Sequence, residues 1–262
     1  MKNLFRIFLF VFVFIQILGI CCLNSIMFHP QRASYDKTHA HYVNIGTNGE
    51  NYSAIVYEPT NSMRALIRCY GNAEDAACAL GYLADLASEG ITVAAVDYPG
   101  YGFSAGSPDE EGCYRAVHRL YDWLVEVRGF NPTNIIVSGF SIGTGPAVEL
   151  AATHPVGGLV LEASYLSAPR IVTQVRLLFS DPFPNLKRIK AVKCPIIFFH
   201  GTDDCIIPYK HGQALYDLAN EPKRFISVEG AGHNNIARTY GFNAYLRILR
   251  DFCFDKSCPS EE

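Results

Sequence analysis

Short apolar runs alternate with helical repeats along most of this chain, and this alternation constrains its fold more than any other feature. Seven runs of four to six residues predict strands, at 53–58, 65–70, 92–96, 134–138, 159–162, 195–199 and 224–228. Five stretches with helical periodicity predict helices, at 75–88, 110–127, 143–153, 210–218 and 235–252. Strands and helices in this order build a mostly parallel central sheet with helices on both faces.

The length and charge of the chain narrow its class further. Its 262 residues suit one α/β domain rather than two. The formal net charge is only -3 and no basic run is present, which argues against a nucleic-acid partner. In mostly parallel sheets, chemistry resides in the loops beyond the carboxyl ends of the strands, so the candidate residues should follow the predicted strands.

A G-x-S-x-G motif at 139–143 lies between the strand at 134–138 and the helix that follows it. Such a turn holds its serine in a strained conformation, with the hydroxyl of Ser141 clear of the sheet. The next backbone N–H, that of Ile142, then points toward the reacting oxygen. The alternative is a glycine-rich turn that merely contains a serine, but the strand–turn–helix context favours Ser141 as a nucleophile.

A serine nucleophile needs a positioned base and a group that orients the base. His233 follows the last predicted strand in the segment EGAGHNN and is the candidate base. The segment HGTDD contains Asp203 and Asp204, and either carboxylate could reach His233. The spacing H-G-x-x-D-x-x-x-P favours Asp204, which leaves Asp203 as a turn-forming residue. The chain order Ser, Asp, His is that of the α/β-hydrolase fold.

The remaining candidates concern the oxyanion of a tetrahedral intermediate, which needs hydrogen-bond donors. Besides the N–H of Ile142, we expect a second donor from the loop after residue 70. The N–H of Asn72 is the predicted donor, with that of Ala73 as the alternative. Glu162 ends a strand near this site, and we interpret it as a buried scaffold residue rather than an acid catalyst. No metal or organic cofactor is implied.

Several longer motifs between residues 41 and 252 carry a family resemblance. They read GNAED, DYPGYGFSAGSPDEEG, GFSIGTGPAVELA, LVLEASY, HGTDDCIIPYKHG and EGAGHNN. These motifs resemble those of compact, nearly capless α/β hydrolases related to serine aminopeptidases, monoacylglycerol lipases and membrane-associated protein depalmitoylases. The resemblance implies the fold and a Ser–His–Asp triad, and it says less about the substrate. The sequence departs from the pattern at Tyr70-Gly71, where relatives usually have His-Gly at the start of the oxyanion loop.

The segment that would cover the site is short. Only 62 residues separate Ser141 from Asp204, and they include two strands and a helix. What remains, roughly residues 165–190, predicts a minimal lid rather than a cap domain. Apolar residues at 172–179 are spaced for one amphipathic helix over the site. An open cleft with an apolar rim suits acyl chains better than large polar substrates.

An apolar stretch, IFLFVFVFIQILGICCL, covers residues 7–23. About 20 apolar residues cross a bilayer as a helix, so residues 1–28 predict an N-terminal membrane anchor. A cleaved signal segment, with secretion, and a buried core helix are the alternatives. Lys2 and Arg6 favour a cytoplasmic N-terminus, which places the catalytic domain on the non-cytoplasmic side. We expect a linker at 29–40, the catalytic domain at 41–254 and a tail at 255–262.

The nine cysteines show no zinc-binding spacing. Cys253 and Cys258 are close enough in sequence to bridge in an oxidising compartment. Our preferred interpretation is that most of the cysteines are buried free thiols.

These features together predict a serine hydrolase that cleaves an ester or thioester acyl group. The substrate would be a small or lipid-like acyl compound or an acylated protein. A serine peptidase is the second interpretation, because the same triad cleaves amides. A catalytically inactive binding protein on the same fold is the third, and only the departure at Tyr70 supports it.

Overall fold

The computed structural model describes residues 6–7, 10, 24–25, 27–47, 50–173 and 181–255. Most of the predicted anchor, the larger part of the predicted lid helix and Cys258 lie outside these residues. No helix within the described ranges is both long and apolar enough to cross a membrane.

The described residues form one eight-stranded sheet in the order β1-β2-β4-β3-β5-β6-β7-β8. The strands are β1 (Tyr42–Asn44), β2 (Ser53–Tyr57), β3 (Arg64–Cys69), β4 (Ile91–Val96), β5 (Ile135–Phe140), β6 (Gly158–Glu162), β7 (Ile196–Gly201) and β8 (Lys223–Val228). Strand β2 runs antiparallel to both β1 and β4, and the other neighbours are parallel. The prediction of a mostly parallel sheet is therefore confirmed.

Helices connect these strands. They are α1 (Ala76–Leu80), α2 (Asp85–Ser88), α3 (Glu110–Asp122), α4 (Thr144–Thr153), α5 (Ala168–Thr173), α6 (Asn185–Arg188), α7 (Lys210–Leu218), α8 (Ile236–Tyr240) and α9 (Phe242–Asp255). A π-helical turn at Trp123–Val127 extends α3. The apolar stripe predicted for α3 faces the core, since Tyr114, Val117 and Leu120 are all buried.

The helices predicted at 75–88 and 235–252 are each divided in two. In the second case Gly241 separates α8 from α9 with φ +99°, a left-handed conformation that ends an α-helix. The backbone turns there, and Tyr245 and Leu249 of α9 are fully buried. The apolar periodicity of the sequence continues across this glycine because α8 and α9 both contribute buried apolar residues, among them Ile236 and Leu249.

The inner strands of the sheet are almost completely buried. Every residue of β4 is buried. In β3, which pairs with β4, and in β5, which pairs with β3, all residues but one are buried. A parallel strand covered on both faces requires this continuous apolar character. Because β3, β5, β6, β7 and β8 are parallel, their carboxyl ends lie along the same edge of the sheet. The predicted site residues follow these strand ends.

Candidate active site

Ser141 occupies a sharp turn between β5 and α4. The strand ends at Phe140, one 3-10 turn covers Ser141–Gly143, and α4 starts at the next residue. Ser141 has φ +52°, a left-handed conformation that is strained for a residue with a side chain. The turn prediction for G-x-S-x-G therefore matches the observed backbone.

The glycines of the motif are required by close backbone approach. A Cβ on Gly143 would lie 2.2 Å from the carbonyl oxygen of Cys69 and 2.4 Å from that of Tyr70. A Cβ on Gly139 would lie 2.7 Å from the Cβ of Ala147. The end of β3 and the first turn of α4 can pack this tightly only against glycine.

Substituting Gly143→Ala should lower the free energy of unfolding by about 1–3 kcal/mol, because the clash is with backbone that must shift. The matched control is Gly81→Ala, where the nearest atom to the new Cβ is 3.4 Å away and φ is -50°. Urea unfolding of the full-length protein measures both. Equal unfolding midpoints for the two variants would contradict the tight packing inferred at the turn.

Three predicted residues form one hydrogen-bonded chain. The Nε2 atom of His233 lies 2.9 Å from the Oγ of Ser141. Its Nδ1 atom lies 2.8 Å from the Oδ2 of Asp204. An ionised carboxylate only accepts hydrogen bonds, so Nδ1 carries the proton and Nε2 is left to accept from the serine hydroxyl. This is the protonation state in which an imidazole can act as a base toward Ser141.

The structure separates the two candidate aspartates. Asp204 is buried, and its Oδ1 accepts the backbone N–H groups of Ile206 (2.9 Å) and Ile207 (2.8 Å). Burial acts to raise the pKa of Asp204, but His233 and these two amides outweigh it and hold the pKa below its ordinary value. Asp203 is exposed, and its carboxylate accepts from the hydroxyl of Thr202 at 3.2 Å. Asp204 is therefore the residue that contacts His233.

His200 supports the loop that carries Asp204, a role that the sequence interpretation missed. It is fully buried, and burial lowers the pKa of its imidazole, which favours the neutral form. Its Nε2 lies 2.9 Å from the carbonyl oxygen of Ile207 and donates to it. This bond holds the loop between Asp204 and Ile207 against β7. The H-G pair at the start of the HGTDD segment was the available signal.

A cavity of about 360 Å³ opens at Ser141, and we call it the first cavity. Its lining is mainly apolar, with a few polar groups at the serine. The lining residues are Met27, Asn72, Phe140, Ser141, Ile142, Tyr165, Ala168, Ile171, Ile206, Ile207, His233 and Asn234. Met27 was expected to lie in the anchor segment, so its place in the cavity wall is a finding of the structure.

Asn72 and Ile142, the two residues predicted to supply the oxyanion donors, line this cavity together with Ser141. The hydroxyl of Tyr165 donates to the carbonyl oxygen of Ile142 at 3.0 Å and so holds the peptide between Ile142 and Gly143, which directly follows the peptide that carries the Ile142 N–H. The N–H of Ala73 donates to the side-chain Oδ1 of Asn72 at 3.1 Å. Because that N–H already has an acceptor, Ala73 is disfavoured as the alternative donor.

The side chain of Asn72 ties the oxyanion loop to neighbouring segments. Its Oδ1 accepts from the hydroxyl of Tyr101 and from the backbone N–H of His29, both at 2.8 Å. Its Nδ2 donates to the carbonyl oxygen of Met27 at 2.7 Å. These bonds hold the chain around residue 27 against the loop and place Met27 in the cavity wall.

Tyr70, which stands where relatives usually have histidine, is a buried packing residue. Its ring lies 4.5 Å from that of Tyr98, and its hydroxyl donates to the Oδ1 of Asp97 at 3.2 Å. The same hydroxyl accepts the N–H of Tyr98 at 3.1 Å. Tyr70 therefore fastens the start of the oxyanion loop to the segment after β4, and it does not enter the first cavity.

Glu162 forms an ion pair with Arg68 beneath the site. Both side chains are buried. The structure thus agrees with the interpretation of Glu162 as a scaffold residue, and it adds Arg68 as its partner.

Solved structures share the architecture. An esterase from Pyrococcus furiosus superposes with a TM-score of 0.68 at 16% identity, over 86% of this chain and 97% of that one. A puromycin-hydrolyzing peptidase from Mycobacterium tuberculosis superposes with a TM-score of 0.66 at 15% identity, over 84% of this chain and 39% of that one. At these identities the likeness shows the fold alone.

Sequence comparison goes further than the fold. The model of a family described as alpha/beta hydrolase matches residues 68–191. Human alpha/beta hydrolase domain-containing protein 17B is 34% identical over 196 residues, which cover 73% of this chain and 67% of that protein. Human alpha/beta hydrolase domain-containing protein 17C is 33% identical over 73% of this chain and 58% of its own length. The resemblance inferred from the motifs is confirmed, and the chain belongs to the alpha/beta hydrolase family.

Proposed function

We propose that this protein hydrolyses acyl esters or thioesters through a Ser141–His233–Asp204 triad. The observation that carries the proposal is the hydrogen-bonded chain of these residues, which ends at the floor of a mainly apolar cavity. A serine with an aligned base and a buried orienting carboxylate suits nucleophilic acyl transfer. The apolar walls suit an acyl chain of a lipid-like compound or an acylated protein.

Each triad member has one task in the first step. The Nε2 of His233 takes the proton of Ser141, whose Oγ forms a bond to the acyl carbonyl carbon. Asp204 holds the Nδ1–H and stabilises the imidazolium that results. The bond from the acyl carbon to the leaving oxygen or sulfur then breaks, and the imidazolium Nε2–H protonates that atom. Water repeats the sequence on the acyl-enzyme, with His233 again as the base, and releases the carboxylic acid.

The oxyanion of the intermediate needs donors that are fixed before the reaction. Backbone N–H groups suit this task because their positions are set by the fold rather than by a side-chain rotamer. We assign the N–H of Ile142 and that of Asn72. The bond from Tyr165 to the carbonyl oxygen of Ile142 and the side-chain bonds of Asn72 hold the two residues that carry these donors.

Labelling with a fluorophosphonate probe tests the nucleophile. These reagents phosphonylate an activated serine hydroxyl, so the full-length wild-type protein should be labelled and the Ser141→Ala variant should not. Ser104 is buried against Ser53 and offers the control variant Ser104→Ala, which should retain labelling. Labelling that persists in Ser141→Ala would exclude Ser141 as the nucleophile.

Substrate class is tested separately. We expect p-nitrophenyl esters of fatty acids to be hydrolysed, because the first cavity offers apolar surface to an acyl chain. Aminoacyl anilides should react poorly in comparison. The opposite order would favour the peptidase interpretation, and labelled protein that cleaves neither would point to a narrower substrate.

A further inference from the structure

A second cavity of about 340 Å³ adjoins the first. The two share Phe140, His233 and Asn234 in their linings, and only the first contains Ser141. The rings of Phe140 and His233 lie 5.1 Å apart and form the shared wall. The imidazole of His233 therefore borders both cavities.

The proposed chemistry gives the two cavities different roles. The imidazolium of His233 must pass its proton to the leaving atom, so the leaving group has to lie on the His233 side of the scissile bond. An acyl chain fits the apolar walls of the first cavity. The leaving group then extends toward the second.

The walls of the second cavity are charged. Arg68, Glu74, Glu162 and Arg238 line it together with the hydroxyl-bearing Tyr82. The buried guanidinium of Arg68 pairs with Glu162 and donates to the Oγ of Ser138 and the hydroxyl of Tyr82, both at 2.7 Å. Its Nε has no hydrogen-bond partner among the residues described. The wall thus retains one unfilled donor.

Glu74 has no ion-pair partner among the residues that the structure describes. The lining contains two guanidinium groups, Arg68 and Arg238, and two carboxylates, Glu74 and Glu162. Arg238 is exposed and Arg68 pairs with Glu162, so the carboxylate of Glu74 is the charge left over among the more buried groups. The carboxylate of Glu74 accepts the N–H of Gly71 at 3.3 Å and makes no ion pair within the described chain. Burial raises the pKa of the Glu74 carboxyl, against the opposing effect of Arg68. Its ionised form therefore lacks the compensation that a cationic ligand would provide.

Arg238 offsets the charge of the Glu74 carboxylate only weakly. Its side chain is on the exposed rim, where solvent and salt screen a charge strongly. Glu74 is half-buried, and charges in such positions interact at a lower effective dielectric. The interior of the cavity consequently favours a positive group over a negative one.

We infer that the second cavity binds the leaving group of the substrate, and that this leaving group carries a positive charge close to Glu74. The inference rests on the proposed function, since it needs His233 to act as the proton donor. The chemical class is an alkylammonium alcohol or thiol, or a peptide with a basic side chain next to the acylated residue.

Two esters of the same fatty acid test the inference: the choline ester and the ester of 3,3-dimethylbutanol, its uncharged isostere. Choline is intrinsically the better leaving group, so the ratio of their kcat/KM values is compared between variants of the full-length protein. Both esters give the same acyl-enzyme, so the ratio excludes deacylation and reports binding and acylation, the steps in which the leaving group is still present. In Glu74→Gln the ratio should fall by about tenfold, because the carboxylate that attracts the cation is gone.

The control variant is Glu126→Gln, which removes an exposed carboxylate outside both cavities and should preserve the wild-type ratio. A ratio that is unchanged or higher in Glu74→Gln would overturn the inference while leaving ester hydrolysis intact. If neither ester is cleaved, competition against fluorophosphonate labelling gives a second measurement. Choline should then slow labelling more than 3,3-dimethylbutanol, and equal effects of the two alcohols would also overturn it. Absence of labelling itself would contradict the proposed function instead.

Discussion

Replacing Asp204 with asparagine is expected to lower kcat by about 10⁴-fold, the size of effect that follows when the orienting aspartate of a serine triad loses its charge. The carboxylate now fixes the proton of His233 on Nδ1 through a 2.8 Å hydrogen bond. An asparagine amide can donate to Nδ1 instead and would move the proton to Nε2. The imidazole could then no longer accept the proton of Ser141, although the side chain would occupy nearly the same space.

Asp203→Asn is the matched control for this prediction. It removes the same charge one residue away, from an exposed carboxylate that contacts Thr202 rather than His233. We expect kcat for a p-nitrophenyl ester to stay within about threefold of wild type, since exposed single substitutions rarely disturb a distant site. Steady-state kinetics of both variants decide the assignment. A large loss in Asp203→Asn with little loss in Asp204→Asn would reverse it.

This choice between neighbouring aspartates shows what the sequence could supply. The motif spacing favoured Asp204, but a loop residue's direction depends on its backbone, and spacing alone left Asp203 open. The structure resolves it through two amides, those of Ile206 and Ile207, that turn one carboxylate inward. His200 in turn holds the carbonyl oxygen of Ile207 through a hydrogen bond. Such contacts join residues that no local pattern relates.

The fold was easier to predict from the sequence than the contacts of the site. Strands buried on both faces produce continuous apolar runs, and five of the six residues of β4, those at 92–96, were predicted on that basis. Strand β1 was missed because it has three residues, is only partly buried and lies at the edge of the sheet. Helix breaks at residues 81–84 and at Gly241 were missed for a related reason, because apolar spacing continues across each break.

Long-range polar contacts were the least predictable part of the site. Tyr70 departs from the family pattern, and only the structure shows that its hydroxyl reaches Asp97. Arg68 sits inside an apolar strand, where an arginine would be unexpected without a buried partner. Its partners come from β5 and β6, 70 and 94 residues away along the chain. Sequence periodicity contains no information about such pairings.

The ion pair of Arg68 with Glu162 leads to the largest expected change in stability. Both residues are at most 4% exposed. Arg68 joins the ends of three neighbouring strands, since it lies in β3 and contacts Ser138 of β5 as well as Glu162 of β6. Removing Glu162 by Glu162→Leu leaves a buried cation without its counter-charge. We expect the free energy of unfolding to fall by about 3–5 kcal/mol.

The double variant Arg68→Met/Glu162→Leu separates the cost of an unpaired charge from the value of the pair. Buried ion pairs gain little over apolar side chains of similar size, because desolvation offsets their attraction. The double variant should therefore be more stable than Glu162→Leu alone, by about 2 kcal/mol or more in urea unfolding of the full-length protein. If the losses of stability in Arg68→Met and Glu162→Leu simply add to the loss in the double variant, Arg68 and Glu162 act independently.

Arg68 also lines the second cavity. A double variant that is stable but has lost its preference for the choline ester would assign the pair to binding rather than to folding.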